Sequence, residues 1–442
     1  MIRLVFGDLL AQSRVWTGMT AVVVATGFVA AIAAGLIETG AVHGGKVQEG
    51  LSSTSGAVII FTTATALIVL SGAANLTVSL QQRGYALWQV VGIRPALVGL
   101  VVYVQLGIVA LVGAGAGLLI ALPAFPVLFG YVFRTWDGMQ GISLHLGGMS
   151  AIWVLLSVLG VVLLGGLRGA RRASRVPPVE VLREPEMPRA RVEWFRYLLL
   201  AAALFGLLSV IMNLRRDASL AATSGTGLFL TPLIAVVFAA AGPLLYPVVL
   251  RAWTALVPRN VSASWFFARH SARFRLSRSS AAIGPLMVAI ALTGGLYTLA
   301  RSIDAAQHRS SGTLAPEGVV ILLGGPLLLA AVAAAATVFM SGQAREREFA
   351  LLQAAGATRA MILLASLWEA LIYAFTAAML GGLATVIGGV IIADVLGLDA
   401  PVITMESSLV VAVGGFAALL IATIAPTCAA LRHDIPRTLA VE

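Results

Sequence analysis

The sequence is poor in charged residues and almost free of cysteine. Only 11% of its 442 residues are charged and 59% are hydrophobic, whereas an ordinary soluble domain is about a quarter charged. The single cysteine, Cys428, excludes an intrachain disulfide, and because it lies in an apolar run we expect it to be inert and buried. This balance excludes a soluble globular domain and indicates a polytopic membrane protein.

Sequence signatures of enzymes are also missing. The chain contains no G-x-x-x-x-G-K-[ST] phosphate-binding loop, no H-E-x-x-H and no G-x-S-x-G. Gly113, Gly115 and Gly117 lie inside an apolar run with no preceding strand, which favours close helix packing over nucleotide binding. The five histidines are spread singly along the chain, so we predict no metal site. We therefore expect no catalytic residue, no enzyme activity and no cofactor bound by this chain.

Ten apolar runs are long enough to cross about 30 Å of hydrocarbon as helices. The first of them follows two arginines and has no cleavage signal, so we interpret it as a retained helix. The sequence thus predicts an all-α fold with ten transmembrane helices. The runs are 16–37, 57–80, 97–122, 148–167, 196–213, 228–250, 280–300, 317–341, 361–392 and 406–430.

Basic residues are distributed unequally over the segments that join these runs. With the N-terminus inside, the inner segments hold 23 of the 29 Lys and Arg residues. Because Lys and Arg collect in cytoplasmic loops, we expect a plasma-membrane protein with both termini in the cytoplasm. The same rule explains the net charge of +10 without a nucleic-acid partner. The outer segments, such as 38–56 and 301–316, are too short for a folded outer domain.

The chain contains an internal repeat displaced by 264 residues. Residues 82–105 align without a gap with residues 346–369, and seven of these 24 positions are identical. Both copies have the same predicted orientation, which makes this a parallel repeat. The chain therefore divides into a first four-helix repeat at 1–185, a two-helix insert at 186–255 and a second four-helix repeat at 256–442.

An amphipathic stretch opens the aligned segment in each copy. Phe349, Leu352 and Ala355 recur at helical spacing, which predicts a short helix on the cytoplasmic face. Gly356 and, in the first copy, Gly92 are placed to end this helix as left-handed caps. We therefore predict, in each copy, a short helix parallel to the membrane and held between two tight corners.

The helix that follows each amphipathic stretch begins with a residue that favours a helix start. Pro95 suits the first turn in the first copy, and Thr358 suits the N-cap position in the second. Further along, Glu369 is the one acidic residue clearly inside an apolar run, and Gln105 holds the equivalent place. Because an intramembrane carboxylate is costly, we expect Glu369 to have a structural or coupling role rather than to bind a proton or substrate.

Three segments resemble one known family. The stretch REREFALLQAAGATRAMILLASLWEAL at 345–371 is similar to the FtsX-like, or MacB-like (type VII), permeases of ABC transporters, which have a charged start, a FALLRALGATRRQI-like core and a glutamate in the next helix. QQRGYALWQVVGIRP at 81–95 is a weaker match, and ARRASRVPPVEVLRE at 170–184 resembles the closing Pro-containing tail of the family. The resemblance covers essentially the whole chain in its duplicated form, which lacks the large extracytoplasmic domains of bigger members.

This resemblance implies a partner and a docking surface. Segments 81–95 and 342–359 would be coupling helices that dock onto two copies of a cytoplasmic ABC ATPase, and that partner would bind ATP and magnesium. Because Trp88 aligns with Leu352, we expect the two contacts to be unequal. The docking residues implied are Arg83, Tyr85, Leu87, Trp88, Gly92, Arg345, Arg347, Glu348, Phe349, Leu351, Leu352 and Gly356.

Three functions are compatible with these observations. The leading one is a permease subunit that exports or extracts a hydrophobic or amphiphilic compound, such as a peptide or lipid, from the membrane. The second is a non-transporting relay that passes ATP-driven motion to an envelope partner, which the short outer segments disfavour. The third is a secondary carrier, for which Glu369 alone is thin support. No residue pattern identifies the substrate.

Overall fold

The all-α fold is confirmed. The computed structural model describes residues 7, 9, 13–133, 142–174, 194–216, 220–258, 262–274, 276–307, 316–340, 349 and 351–430, and these contain no β-strand. In chain order the helices are α1 (Ser13–His43), α2 (Gly45–Val90), α3 (Pro95–Val132), α4 (Gly148–Ala173), α5 (Trp194–Arg216), α6 (Leu220–Gly227), α7 (Leu230–Ala240), α8 (Gly242–Leu256), α9 (Ala263–Phe274), α10 (Leu276–Ala306), α11 (Pro316–Met340), α12 (Arg359–Leu396) and α13 (Met405–Ala430).

Eight stretches within the described residues are long and apolar enough to cross a membrane. Of the other two predicted runs, 196–213 lies inside α5, and 317–341 coincides with α11, whose apolar part is Ile321–Thr337. The class of multi-pass membrane protein is thus confirmed, whereas the count of ten stays a prediction. The eight stretches are Val15–His43, Val47–Gln82, Pro95–Val132, Gly148–Arg171, Thr223–Ala240, Ser279–Ala306, Arg359–Leu396 and Met405–Ile424.

The sixth predicted run, 228–250, is not one helix. The chain there forms α7 and α8 with a turn at Ala241 between them. Pro243 has no N–H to donate to the helix ladder, so α8 begins afresh after that turn. The stretch with spanning length is Thr223–Ala240 instead.

The predicted outer loop 38–56 is a helical hairpin. α1 continues to His43, and α2 begins two residues later at Gly45. Gly44 and Gly45 have φ angles of 65° and 56°, a left-handed conformation that glycine adopts without a steric cost. Both helices therefore run beyond the predicted spans and meet at one sharp turn.

The predicted interfacial helix of the first copy is the last part of α2. This helix has 46 residues and runs unbroken to Val90, about 69 Å at 1.5 Å per residue. The polar residues Gln81 and Gln82 mark the end of the apolar stretch, but they do not end the helix, since a helix continues into water where its residues allow it. The first copy thus has one corner, after Val90, and the prediction of two corners is wrong there.

The described helices belong to two compact units. The first comprises Met1–Pro188 and Ala315–Ala336, in which α1 packs against α2, α3 and α4. At Gly113 of α3 an added Cβ would lie 2.8 Å from the Val23 side chain of α1, and at Gly117 it would collide with the α1 backbone. Close packing therefore explains these two glycines, as predicted, whereas Gly115 faces open space.

Most of α11 packs within this first unit, although it belongs to the second half of the sequence. Ile321 contacts the cluster formed by Val29, Ala33 and Val58. At Gly325 an added Cβ would lie 2.5 Å from Val29 Cγ1, so α11 approaches α1 closely at this point.

The second unit comprises Arg189–Leu314 and Thr337–Glu442. In it α10 packs against α12 and α13, as α1 packs against α3 and α4. At Gly381, which lies 264 residues after Gly117, an added Cβ would be 2.8 Å from Ile290 of α10. The repeat thus extends from the aligned residues to the packing of the helices, while the predicted domain boundaries stay a prediction.

Within the second unit the insert packs mainly through α7, which contacts α10 and α12 as well as α5 of the insert. Arg215 at the end of α5 donates to the Asp394 carboxylate near the end of α12 at 2.8 Å. Both side chains are exposed, and such a pair contributes about 0–1 kcal/mol. Apolar packing therefore holds the insert in place.

Candidate functional site

Each repeat has a sharp helical corner of the same construction. We call residues 85–95 the first corner and residues 349–359 the second corner. Gly92 and Gly356 have φ angles of 99° and 94°, so both predicted left-handed caps are confirmed. The paired capping bonds run from Gly92 N to Gln89 O and Ile93 N to Trp88 O in the first corner, and from Gly356 N to Gln353 O and Ala357 N to Leu352 O in the second, all at 2.9 or 3.0 Å.

The helix after each corner begins as the sequence predicts. Pro95 occupies the first turn of α3, where its missing N–H costs nothing. At the second corner Thr358 is the N-cap of α12, and its Oγ1 accepts from Met361 N at 3.2 Å. Each corner therefore combines a glycine cap with a residue that favours the start of the next helix.

A buried aromatic ring anchors each corner. Tyr85 is fully buried, its hydroxyl donates to Gln81 Oε1, and its ring meets the Trp88 ring edge to face at 5.5 Å. Phe349, at the equivalent position, is buried against Ile362. These two rings contact their own chain and hold the corners in shape.

A leucine is exposed to the same extent at each corner. Leu87 is 53% exposed and Leu351, its counterpart, is 54% exposed. Both lie outside the candidate spans, which end at Gln82 and begin at Arg359. Val90 and Val91 add exposed apolar surface at the first corner, where the second has alanines. Exposed apolar surface outside the candidate spans makes these residues candidates for contact with a partner.

The charged residues of the predicted docking surface are not among the residues whose side chains the structure describes. Arg345, Arg347 and Glu348 lie outside the described residues, and of Arg83 only the helical backbone is described. The docking role of all the corner residues stays a prediction.

Glu369 lies in α12 beyond the second corner and is almost fully buried. Its Oε1 accepts from the Tyr373 hydroxyl at 2.6 Å. That hydroxyl lies 3.4 Å from Ser279 Oγ of α10, which donates to Ala272 O of α9 at 2.7 Å. Glu369 thus belongs to a polar chain that joins three helices, and Gln105, its counterpart in α3, is equally buried.

Three tryptophans on α8, α9 and α12 form an aromatic cluster that was not predicted from the sequence. Trp265 of α9 meets Trp368 of α12 edge to face at 5.2 Å. The Trp253 ring of α8 is tilted against the Phe375 ring with the centroids 4.8 Å apart, and its Nε1 donates to Thr376 Oγ1 at 3.0 Å. Because the three tryptophans lie on three different helices, no local spacing could have revealed the cluster.

A second polar cluster lies at the other end of α2, beside the Gly44 turn. Ser143 Oγ is 3.3 Å from His43 Nε2 and 3.2 Å from His145 Nε2, and the two ring centroids are 6.1 Å apart. These two histidines are far apart in the sequence, and the fold brings them together. Within the described residues no group of three or more His, Cys, Asp or Glu side chains is arranged to hold a metal.

Comparison with known proteins supports the family resemblance over the second half. Residues 320–435 match the family model described as FtsX-like permease C-terminal, a range that contains the second corner, α12 and α13. No curated protein matches the chain. FtsX-like permeases are membrane-spanning subunits of ABC transporters and work with cytoplasmic ATPases. This multi-pass membrane protein is therefore similar to the FtsX-like permeases over residues 320–435.

Proposed function

We propose that this chain is the permease subunit of an ABC transporter that exports or extracts a hydrophobic or amphiphilic compound from the membrane. ATP would be bound and hydrolysed, with magnesium, by two copies of a separate cytoplasmic ATPase. The observation that carries the proposal is the repeated corner. Both copies have the same glycine cap, a buried aromatic ring at the same position and a half-exposed leucine 264 residues apart.

The corners are suited to transmit force because each is rigidly joined to the helix that follows it. The capping bonds and the buried ring fix the direction in which the chain leaves the corner. A partner that grips Leu87 or Leu351 in a groove, as helices are commonly gripped, would therefore move the attached helices as rigid bodies. At the first corner that movement passes along the unbroken 46-residue α2.

The two docking contacts are unequal in this proposal. Val90 and Val91 enlarge the exposed apolar surface of the first corner, whereas the second corner has the smaller Ala354 and Ala355. Binding free energy rises with the apolar area removed from water, by about 25 cal/mol per Å². The first corner should therefore contribute more to the affinity.

Substitution of the exposed leucines tests this docking surface. We expect Leu87→Asp and Leu351→Asp to leave the protein inserted but to weaken co-purification with its ATPase, because each places a charge in an apolar contact. Leu87→Asp should have the larger effect. Val42→Asp is the matched control, since Val42 is 58% exposed but lies beside the Gly44 turn. Unchanged ATPase binding by the double Leu variant would refute the docking assignment.

The competing functions differ in what the purified complex does. A transporter in liposomes should hydrolyse ATP faster when its amphiphilic cargo is added. A mechanical relay should instead hydrolyse ATP faster when an envelope partner is added, and it should move no cargo. The continuous α2 would serve this function too. A secondary carrier should purify without any ATPase and work on an ion gradient alone, so co-purification is the first measurement to make.

A further inference from the structure

We propose that the His43–His145 pair binds one divalent transition-metal ion, such as Zn²⁺, at the end of the first unit that carries the Gly44 turn. The two Nε2 atoms converge on one point, because each lies within 3.3 Å of the same Ser143 Oγ. Imidazole nitrogen is a preferred ligand of zinc, copper and nickel. This inference does not depend on the proposed transport function.

The hydrogen bond from His43 Nδ1 leaves the Nε2 lone pair available to a metal. His43 Nδ1 lies 2.9 Å from Thr39 O, and a carbonyl oxygen only accepts, so the proton is on Nδ1. A neutral imidazole carries one proton, which leaves the Nε2 lone pair directed towards Ser143. Histidines that ligate metals commonly donate their other N–H to a carbonyl in this way.

The separation of the two rings also fits. Zn–N bonds are about 2.0–2.1 Å long, so two imidazoles on one zinc ion have ring centres about 5–6 Å apart when the N–Zn–N angle is tetrahedral or somewhat wider. The observed centroid separation is 6.1 Å. An ion can therefore bridge the rings after small side-chain rotations, with Ser143 Oγ or water completing its coordination.

The backbone around the pair is already fixed. Thr39 is fully buried, and its Oγ1 accepts from His145 N at 3.1 Å while its carbonyl holds His43. Two residues beyond His145, Gly147 N donates to a Glu38 carboxylate oxygen at 2.7 Å, which places a negative charge close to His145. One buried threonine thus orients the His43 ring and fixes the backbone of His145, and the nearby carboxylate favours a cation.

The site supplies two protein nitrogens, and the described residues add no third His, Cys, Asp or Glu ligand. We therefore expect weaker binding than at a structural zinc site, which has four protein ligands. His43 and Ser143 are exposed, so an ion can enter and leave. When bound, it would clamp the α1–α2 hairpin to the segment that leads into α4.

The test is a Zn²⁺ titration of the full chain, purified metal-free in detergent without a polyhistidine tag. We expect one Zn²⁺ per chain, and a loss of affinity of at least about tenfold in His43→Ala and in His145→Ala, since even orienting groups are worth that much. His270→Ala is the control and should bind as the wild type does, because His270 is exposed on α9 and its ring contacts Phe266.

Two further measurements separate a metal site from a hydrogen-bonded pair. Ser143→Ala should retain zinc affinity within about threefold, because Ser143 is not the principal ligand. Electron paramagnetic resonance of the wild-type chain with one equivalent of Cu²⁺ should show two nitrogen ligands, and it needs no variant that could misfold. Equal zinc binding by the wild type and the double histidine variant, or a copper spectrum without nitrogen coupling, would overturn the proposal.

Discussion

At the scale of single residues, Glu369 shows how a membrane helix accommodates a carboxyl group. Burying such a group is costly unless it is hydrogen-bonded, and the Tyr373 hydroxyl supplies a bond at 2.6 Å. Gln105 holds the same place in the first repeat and is also buried. Since a neutral amide occupies that place, a negative charge is not a property that both repeats share.

We therefore expect Glu369→Gln to preserve both stability and ATPase-coupled activity, because its Oε1 still accepts from Tyr373. Glu369→Leu should lower thermal stability and coupling, since it leaves the buried Tyr373 hydroxyl without this acceptor, a loss of about 1–3 kcal/mol. Tyr373→Phe is the partner control and should fall between the two. A proton-dependent activity that the Gln variant abolishes would assign Glu369 to proton transfer instead.

At the scale of elements, the two corners are governed by glycine conformation. Gly92 and Gly356 have φ angles near +95°, and an added Cβ would meet no atom within 4 Å at either position. A side chain at either glycine is therefore unfavourable because of the backbone conformation and not because of a clash. This cost should be the same in both repeats.

Gly92→Ala and Gly356→Ala should each lower the free energy of unfolding by about 1–2 kcal/mol, the penalty for a left-handed residue with a Cβ. Gly382→Ala is the matched control, because Gly382 lies inside α12 with open space around it. That change should stabilise the helix by about 0.5–1 kcal/mol. Unfolding followed by tryptophan fluorescence measures all three, and equal stability of the three variants would contradict the assignment of the caps.

Local chemistry explains which elements the sequence could predict. The glycine caps, Thr358 and Pro95 were predictable because each acts within a few residues of itself. The continuation of α2 past Gln82 was not, since polarity marks where an apolar span ends but not where a helix ends. The His43–His145 pair was missed for a different reason, because only the hairpin and the segment before α4 bring the two rings together.

At the scale of the whole molecule, the repeat is not complete in its packing. α10, α12 and α13 repeat the mutual packing of α1, α3 and α4, but α11, the second-half counterpart of α2, packs largely within the first unit. Sequence symmetry alone predicts that each repeat packs with itself. The contact of Gly325 with Val29 departs from that symmetry. A substitution at Gly325 therefore tests whether α11 packs against α1.

Gly325→Ala adds only a Cβ, which would lie 2.5 Å from Val29 Cγ1 and 3.1 Å from Thr62 Oγ1. Overpacking of this kind costs about 1–3 kcal/mol, more than the gain from replacing a helical glycine. The variant should therefore have a lower melting temperature, whereas Gly382→Ala, the same substitution in open space, should not. Val29→Ala removes the colliding atoms, so the double variant should recover part of the loss, as coupled neighbours do. A Gly325→Ala protein as stable as the Gly382→Ala protein would show that α11 does not cross α1 at this point.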